Sequence, residues 1–403
     1  MNQTFDYVVI GAGPGGVEAA LEIRRQNLAV LLIEKDKWGG TCLHQGCVPT
    51  KALLHASKAP FNGDLLMLFA DVFAKVATIS ANLVANLESA KVTMVQGEAT
   101  IIDQHQVKVN EAIYEGRHII FAGGSVPIAL KIPGIDGVNI YDSESIYSLT
   151  TLPKRLAIIG GGYIGFEWAT IFTNLGSEVT IYEALPTVLS GFDDDLVRRY
   201  LTLQRHRRWT IRPNSQVLAF STKDGQVRLT SSDGEDDYDA VMVAVGRRPL
   251  AITLPEGVLK LGDAAGAPLL AHKAGAEAKA LFTGDFSSRV IPAAMFTDPE
   301  IATTGTSEKA LKAAGMEYLT VKLPYRANAK AYVTGHDEGY VKLILDPQKE
   351  YLLGAALIGN MASDIINVLT LAIQEKIPIS KLKRLVFPHP TIGEVIGQAL
   401  SSI

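Results

Sequence analysis

This sequence predicts an α/β fold in which a strand–turn–helix–strand unit occurs twice, followed by a C-terminal α+β domain. Three observations carry that reading. Tyr7-Val8-Val9-Ile10 is an apolar run that ends in Gly11-Ala12-Gly13-Pro14-Gly15-Gly16 and passes into an Ala-rich helix. The same grammar returns at residues 156–159 and Gly160-Gly161-Gly162-Tyr163-Ile164-Gly165. After about Pro292 the texture changes to paired strands at 340–345 and 352–357 and an apolar-faced helix at 365–374, with Pro378 and Pro388 punctuating the end.

In the first unit the helix covers residues 17–25, and a second strand at 28–33 ends at Glu34. In the second the helix covers 166–175, and its strand at 179–182 ends at Glu183. Gly11 to Glu34 and Gly160 to Glu183 are both 23 positions. One G-x-G-x-x-G is a weak signal; two, each in this context and each with an acid at matching distance, are strong. Gly11 and Gly160 make the tight bend, Gly13 and Gly162 let the backbone approach a pyrophosphate, and Gly16 and Gly165 allow close helix–strand packing. The helix N-terminus adds partial positive charge. Both units therefore read as Rossmann-like dinucleotide-binding domains, with Glu34 and Glu183 accepting hydrogen bonds from adenosine ribose hydroxyls. Glu183 also discriminates: a 2'-phosphate would meet a carboxylate, and residues 184–189 offer no Arg or Lys to offset it. The second site should take NAD rather than NADP.

Residues 92–121 alternate like antiparallel strands, and a similar set follows at 217–229 and 240–245. The expected organisation is 1–147 and 148–249 for the nucleotide domains, 250–290 for a short central segment and 291–403 for the C-terminal domain. At 403 residues the chain is too long for one ordinary core. It is 47% hydrophobic and carries a net charge of −4, which gives no general attraction to nucleic acid or anionic lipid. The basic stretch Arg205-His206-Arg207-Arg208 reads as a solvated helix end. No leader is visible at residues 1–6, and no apolar run approaches the roughly 18 residues a membrane span needs. No membrane association and no metal site are expected, and with two Cys a cytoplasmic setting is favoured.

Both cysteines fall in GGTCLHQGCVPTK, residues 39–51. Pro49 suits the first turn of a helix, so Cys47 lies near a helix N-terminus, where a thiolate is favoured. A disulfide needs Cα atoms within about 7 Å, and residues five apart in a regular helix lie further than that. The segment between Cys42 and Cys47 must therefore bend, and Gly46 allows it. The spacing suits a disulfide that opens and closes; two incidental buried thiols are the alternative.

These motifs, in order, resemble the flavin-dependent pyridine nucleotide-disulfide oxidoreductases. The similarity runs from Tyr7 to about Ile396 and rests on GAGPGG at 11, GGTCLHQGCVPTK at 39, GGGYIGFE at 160, VGRRP at 245, GD at 262, LLAHKA at 269 and HPTIGE at 389. The resemblance implies that the first unit binds FAD and the second NAD. It implies that Cys42 meets a dithiol substrate while Cys47 faces the flavin, with Lys51 and Glu167 near the flavin ring. It further implies that Asp263 binds the ribityl or phosphate portion, with Leu269, Leu270, Ala271 and His272 nearby, and that Gly246 borders the nicotinamide. Ala99, Gly124, Ser125 and Val217 fall at further cofactor-binding positions. His389 would be the base that takes a thiol proton, oriented by Glu394. The implied assembly is a homodimer in which that pair reaches the partner's disulfide. The implied partner is a dihydrolipoyl group, on a 2-oxo acid dehydrogenase or glycine cleavage complex; the alternatives are NADH-dependent reduction of another small disulfide, or a flavin-binding non-catalytic relative.

The chain departs from the family pattern in four places. Residues 57–64 and 250–261 are compressed, and Lys260 stands where a small apolar residue is usual. Gly123-Gly124-Ser125 replaces Thr-Gly-Ser, and Phe387 replaces a His often found two before the catalytic one.

Overall fold

The computed structural model describes residues 4–403; the first three residues of the stretch read above as leader-free lie outside the described residues. In chain order the helices are α1 (Pro14–Arg25), α2 (Gly40–His44), α3 (Cys47–Ala56), α4 (Leu65–Ser89), α5 (Tyr163–Leu175) and α6 (Asp194–Leu203). They continue with α7 (Ala271–Lys279), α8 (Glu308–Ala313), α9 (Ala329–Val333), α10 (Ala362–Gln374), α11 (Ile379–Leu382) and α12 (Glu394–Ser401). The chain forms two compact units, one from residues up to 159 together with 218–287, the other from 160–217 together with 288–403.

In the first unit, Thr4–Ile10 pairs in parallel with Val30–Glu34 on one side and Ala112–Phe121 on the other. Val8 and Val9 are fully buried, as a central strand covered on both faces requires. The small residues Ala19 and Ala20 of α1 are also fully buried and pack with Val9, Ile23, Val30 and Leu32. Thr93–Gln96 extends the sheet in parallel with Val30–Glu34. The antiparallel reading of 92–121 is therefore corrected in part. Ala99–Ile101, Gln106–Val109 and the start of Ala112–Phe121 form an antiparallel meander, whereas the rest of Ala112–Phe121 runs parallel to Thr4–Ile10. Ile119, Ile120 and Phe121 are buried in succession, which marks a central strand and not an alternating one. Ala240–Val243 gives the same correction: every residue is buried, and it runs parallel to both Arg155–Ile159 and Ile140–Asp142.

The compressed segments are built turns. Between α3 and α4 the Asp64 carboxylate accepts from the Met67 N–H at 2.8 Å, capping α4. Residues 250–258 lead into Leu259–Lys260, which pairs in parallel with the end of Ala112–Phe121, and the Leu261 N–H bonds the Phe121 carbonyl at 3.0 Å. The chain thus rejoins the sheet one residue before Gly262-Asp263. Helix α4 is 25 residues long and, by length and composition only, apolar enough to cross a membrane; Asp71, Lys75 and Glu88 break it into shorter apolar runs. Its buried residues Leu65, Phe69, Val72 and Val76 fall on one helical stripe, and Phe69 and Phe73 meet the Tyr147 ring edge-on.

In the second unit, Glu178–Tyr182 pairs in parallel with Trp209–Arg212. A five-stranded antiparallel sheet follows, in the order Ala293–Met295, Glu300–Gly305, Leu352–Gly359, Tyr340–Leu345, Leu319–Pro324. Helix α10 packs on it through Ile366, Leu369 and Ala372, and α12 adds Val395, Ile396, Ala399 and Leu400 to the same core. Lys342 is fully buried in this sheet, with its ammonium 2.7 Å from Asp193, 2.9 Å from Asp195 and 2.6 Å from Glu308. Those carboxylates form a donor set a cation could use; the Lys342 ammonium already bonds all three, and Lys322 pairs with Asp195 at 2.6 Å.

Candidate active site

The two glycine turns carry the same hydrogen bonds. The Gly11 N–H bonds the Ile33 carbonyl and the Gly160 N–H the Tyr182 carbonyl, each at 2.8 Å. Glu34 accepts from the Ala12 N–H at 2.7 Å and the Asp36 N–H at 2.9 Å. Glu183 accepts from the Gly161 N–H and the Leu185 N–H, each at 2.8 Å. Each carboxylate is therefore fixed by its own glycine turn, with lone pairs left for ribose hydroxyls. The Glu34 carbonyl accepts from Gly97, two residues before Ala99, and the Glu183 carbonyl accepts from Ser215, two residues before Val217. The internal repeat thus extends to both of those predicted positions.

Gly16 is needed because a Cβ there would lie 1.8 Å from the Gly11 carbonyl oxygen. Around Gly13 and Gly162 nothing lies within 4 Å of where a Cβ would be, and no side chain caps α1 or α5. Two helix starts with open approaches and uncapped N–H groups, each beside a fixed acid, fit two dinucleotides. Gly165 lies buried in the first turn of α5. Glu167, on the same helix, is 2% exposed and accepts from the Phe296 N–H at 3.1 Å.

The cysteine segment is stitched to the first glycine turn. The Gly39 N–H bonds the Ala12 carbonyl at 2.9 Å, and a Cβ on Gly40 would come 2.9 Å from the Gly13 Cα. Cys42 lies in α2, and Cys47 is the first residue of α3. The predicted bend falls between the two helices at Gln45-Gly46, where a Cβ on Gly46 would press on the Thr41 carbonyl at 3.0 Å and the Cys42 Cα at 3.2 Å. The structure holds the pair as two thiols, half-buried Cys42 beside exposed Cys47. Its hydrogen bond with Cys47, and then burial, push the Cys42 thiol up, against a smaller opposing pull from the Lys51 ammonium. The start of α3 favours a thiolate at Cys47. The Thr50 hydroxyl, bonded to the Gly46 carbonyl at 2.7 Å and to the Tyr147 hydroxyl at 3.0 Å, anchors that first turn.

Ser125 and Asp263, 138 residues apart, meet: the hydroxyl donates to the carboxylate at 2.6 Å. Ser125–Pro127 pairs antiparallel with Arg247–Pro249, so Arg247 bonds the Ser125 hydroxyl at 3.0 Å, its carbonyl at 2.6 Å and Glu144 at 2.7 Å. Gly246 and Gly124 both have positive φ, +107° and +73°, at the ends of this ribbon. Gly123 stands where Thr is usual because the Phe121 ring lies 2.3 Å from where its Cβ would be. Leu269 and Leu270 lead into α7, whose start, Ala271 and His272, has no side-chain cap. From α7, Lys273 bonds the Gly262 carbonyl at 3.0 Å and Glu277 accepts the Gly262 N–H at 2.6 Å, clamping the turn that presents Asp263.

In the second unit, His389 Nδ1 lies 2.9 Å from Glu394 Oε1, and the Thr391 N–H donates to Oε2 at 2.8 Å. The Thr391 N–H first, then His389, hold the Glu394 carboxyl below its ordinary range. Phe387 packs where a Cβ on Gly397 would go, at 2.9 Å, and bears on Gly393, so it serves the loop as a spacer. Cys42 and Cys47 belong to one unit, His389 and Glu394 to the other. Arg247, Glu144, Lys273, Glu277 and Asn328 were not singled out from sequence; Arg247 and Lys273 lay inside the motifs VGRRP and LLAHKA, which was the available signal.

A family model for pyridine nucleotide-disulphide oxidoreductases matches residues 5–268, and one for that family's dimerisation domain matches 291–400. The chain belongs to the pyridine nucleotide-disulphide oxidoreductases, flavoprotein enzymes that use FAD and NAD(H). The dimerisation domain supports a homodimer. The chain is 34% identical to dihydrolipoyl dehydrogenase 2 of Haloarcula marismortui over 456 aligned positions, which cover 98% of this chain and 96% of the relative. It is 33% identical to a dihydrolipoyl dehydrogenase of Staphylococcus aureus, covering 98% and 95%. The Haloarcula alignment is longer than this chain, so that relative carries internal residues absent here. Among solved structures, the HOCl-induced flavoprotein disulfide reductase RclA from Escherichia coli superposes with a TM-score of 0.91 at 26% identity, covering 98% of this chain and 99% of that one. LpdA from Mycobacterium tuberculosis shares the fold, with a TM-score of 0.89 at 23% identity and coverage of 98% and 99%.

Proposed function

We propose that this enzyme oxidises a dihydrolipoyl dithiol with NAD, acting in the cytoplasm on a lipoyl group carried by a 2-oxo acid dehydrogenase or glycine cleavage complex. The observation that carries the reading is the asymmetric Cys42–Cys47 pair, stitched by Gly39 and Gly40 to the first glycine turn. The curated relatives named dihydrolipoyl dehydrogenase support the substrate.

In the oxidised enzyme Cys42 and Cys47 share a disulfide. His389 Nε2 takes the proton of one substrate thiol, while Glu394 holds Nδ1–H and offsets the imidazolium charge. That substrate sulfur attacks Cys42; the Cys42–Cys47 bond breaks, and Cys47 leaves as a thiolate at the start of α3. His389 then passes its proton to Cys42 as that sulfur leaves, and takes the proton of the second substrate thiol, whose sulfur closes on the first; Cys42 ends as a thiol, Cys47 as a thiolate and His389 as the imidazolium. The substrate loses two electrons and becomes a disulfide; the enzyme pair gains them. Glu34, the Gly11–Gly16 turn, Lys51, Gly124, Ser125 and Asp263 would hold FAD, which when bound would supply two-electron transfer between Cys47 and the nicotinamide. Glu183, Gly160, Gly162 and Gly165 would hold NAD, Gly246 would border the nicotinamide, and Glu167 would lie near the flavin ring.

The test is a steady-state assay of purified, FAD-loaded protein with dihydrolipoamide and NAD, against NADH with lipoamide and a panel of other small disulfides. Turnover of dihydrolipoamide with a specificity constant above those for the other disulfides supports the reading. The likeness to RclA favours a second reading, NADH-dependent reduction of another disulfide; preference for a different disulfide would select it.

A further inference from the structure

His389 is largely exposed, and among the described residues Glu394 is the hydrogen-bond partner of its ring. An exposed imidazole is held in one rotamer and one tautomer only as well as its partner is held. Glu394 is held by the Thr391 N–H, and Thr391 is tied in turn: its hydroxyl donates to the Pro388 carbonyl at 2.8 Å and its carbonyl accepts from Asn328 Nδ2 at 3.0 Å. Asn328 is 1% exposed, and its Oδ1 accepts from the Ala331 N–H at 2.9 Å to cap α9. Both ends of the amide are used, so its orientation is set: flipped, the NH₂ would face an N–H and the oxygen a carbonyl.

We propose that Asn328 is a positioning residue for His389, its amide holding Thr391 so that the Thr391 N–H keeps Glu394 on the imidazole Nδ1. Nε2 is thereby left as the basic nitrogen that faces a thiol. This rests on the reading of His389 as proton acceptor. The tie runs between sequence positions 63 residues apart and comes from a short 3₁₀ turn (Tyr325–Ala327) and α9 beside the loop. A purely structural Asn would need only its cap.

The two functions of Asn328 can be separated. Asn328→Ser keeps a good N-cap but is too short to reach Thr391, and Asn328→Asp keeps the cap while replacing the donor with an acceptor. In both, flavin reduction by dihydrolipoamide, followed by stopped flow, should slow about five- to tenfold, the factor a lost hydrogen bond carries. Reduction by NADH should stay near that of the unmodified protein. With ¹⁵N-histidine, the His389 signal, assigned by its disappearance in His389→Gln, should move from a single Nδ1–H tautomer toward averaged tautomers. A folded variant with unchanged dithiol rate and unchanged His389 signal overturns the proposal, even if its stability falls. If His389→Gln itself leaves the dithiol rate intact, the proton-acceptor reading fails, and the nitrogen signal alone decides whether Asn328 positions the ring.

Discussion

Cys42 and Cys47 differ in environment although five residues separate them. Cys47 and then burial push the Cys42 thiol up; Cys47 sits at the start of α3. Cys42→Ser should abolish dithiol turnover yet leave FAD bound and Cys47 able to perturb the long-wavelength flavin absorbance. Cys47→Ser should abolish turnover and that absorbance together; identical spectra for the two variants would mean the roles are not divided. Glu183 supports a second expectation. With its carboxylate fixed by the Gly161 and Leu185 N–H groups, NAD should be preferred over NADP by at least about tenfold, and Glu183→Ala should narrow the gap. Equal use of both nucleotides by the unmodified enzyme would contradict the assignment. The cysteines, the glycines and the two acids were legible because local spacing defines them. Arg247 and Asn328 were not: their partners are joined to them by folding, over 122 residues between Arg247 and Ser125 and 63 between Asn328 and Thr391.

Parallel and antiparallel strands were the least legible elements. Short apolar runs such as Ile119-Ile120-Phe121 read alike in either direction, and only the neighbours Val8 and Val9 decide. The buried ion cluster around Lys342 was invisible for another reason: it joins the start of α6, α8 and Tyr340–Leu345. Burial opposes the charge of Lys342, but the hydrogen bonds of Asp193, Glu308 and Asp195 outweigh it and raise its pKa. Burial likewise opposes ionisation of Asp195, but Lys322 and Lys342 hold it below the usual carboxylate range. The raised lysine contributes stability below its ordinary pKa of about 10.4, lost as pH rises through the folded value. The depressed carboxyl contributes above its ordinary value of about 3.9, lost as pH falls through the folded one. Lys342→Met should take the ammonium from Asp193 and Glu308, leave Asp195 only Lys322, and cost about 3–5 kcal/mol at neutral pH. The loss, read by urea unfolding, should shrink below about pH 4 as the carboxyls protonate. A stability difference that is flat with pH would contradict this account.

At the scale of the whole molecule, the unit with the first glycine turn carries the cysteine pair, and the dimerisation domain, in the other unit, carries His389. If His389 completes the site of the partner subunit, mixed dimers of Cys42→Ser and His389→Gln chains should recover activity that neither homodimer has, since one of their two sites is intact. Confirmed heterodimers without turnover would count against His389 acting across subunits. The central claim is that electrons pass through the cysteine pair, and thiol counting tests it most directly. The oxidised, FAD-loaded protein is treated anaerobically with one equivalent of NADH per chain, alkylated and weighed by mass spectrometry. Two labels per chain, on Cys42 and Cys47 and absent without NADH, are expected, since the chain has no other cysteine. A bleached flavin with no label on either cysteine would contradict the account.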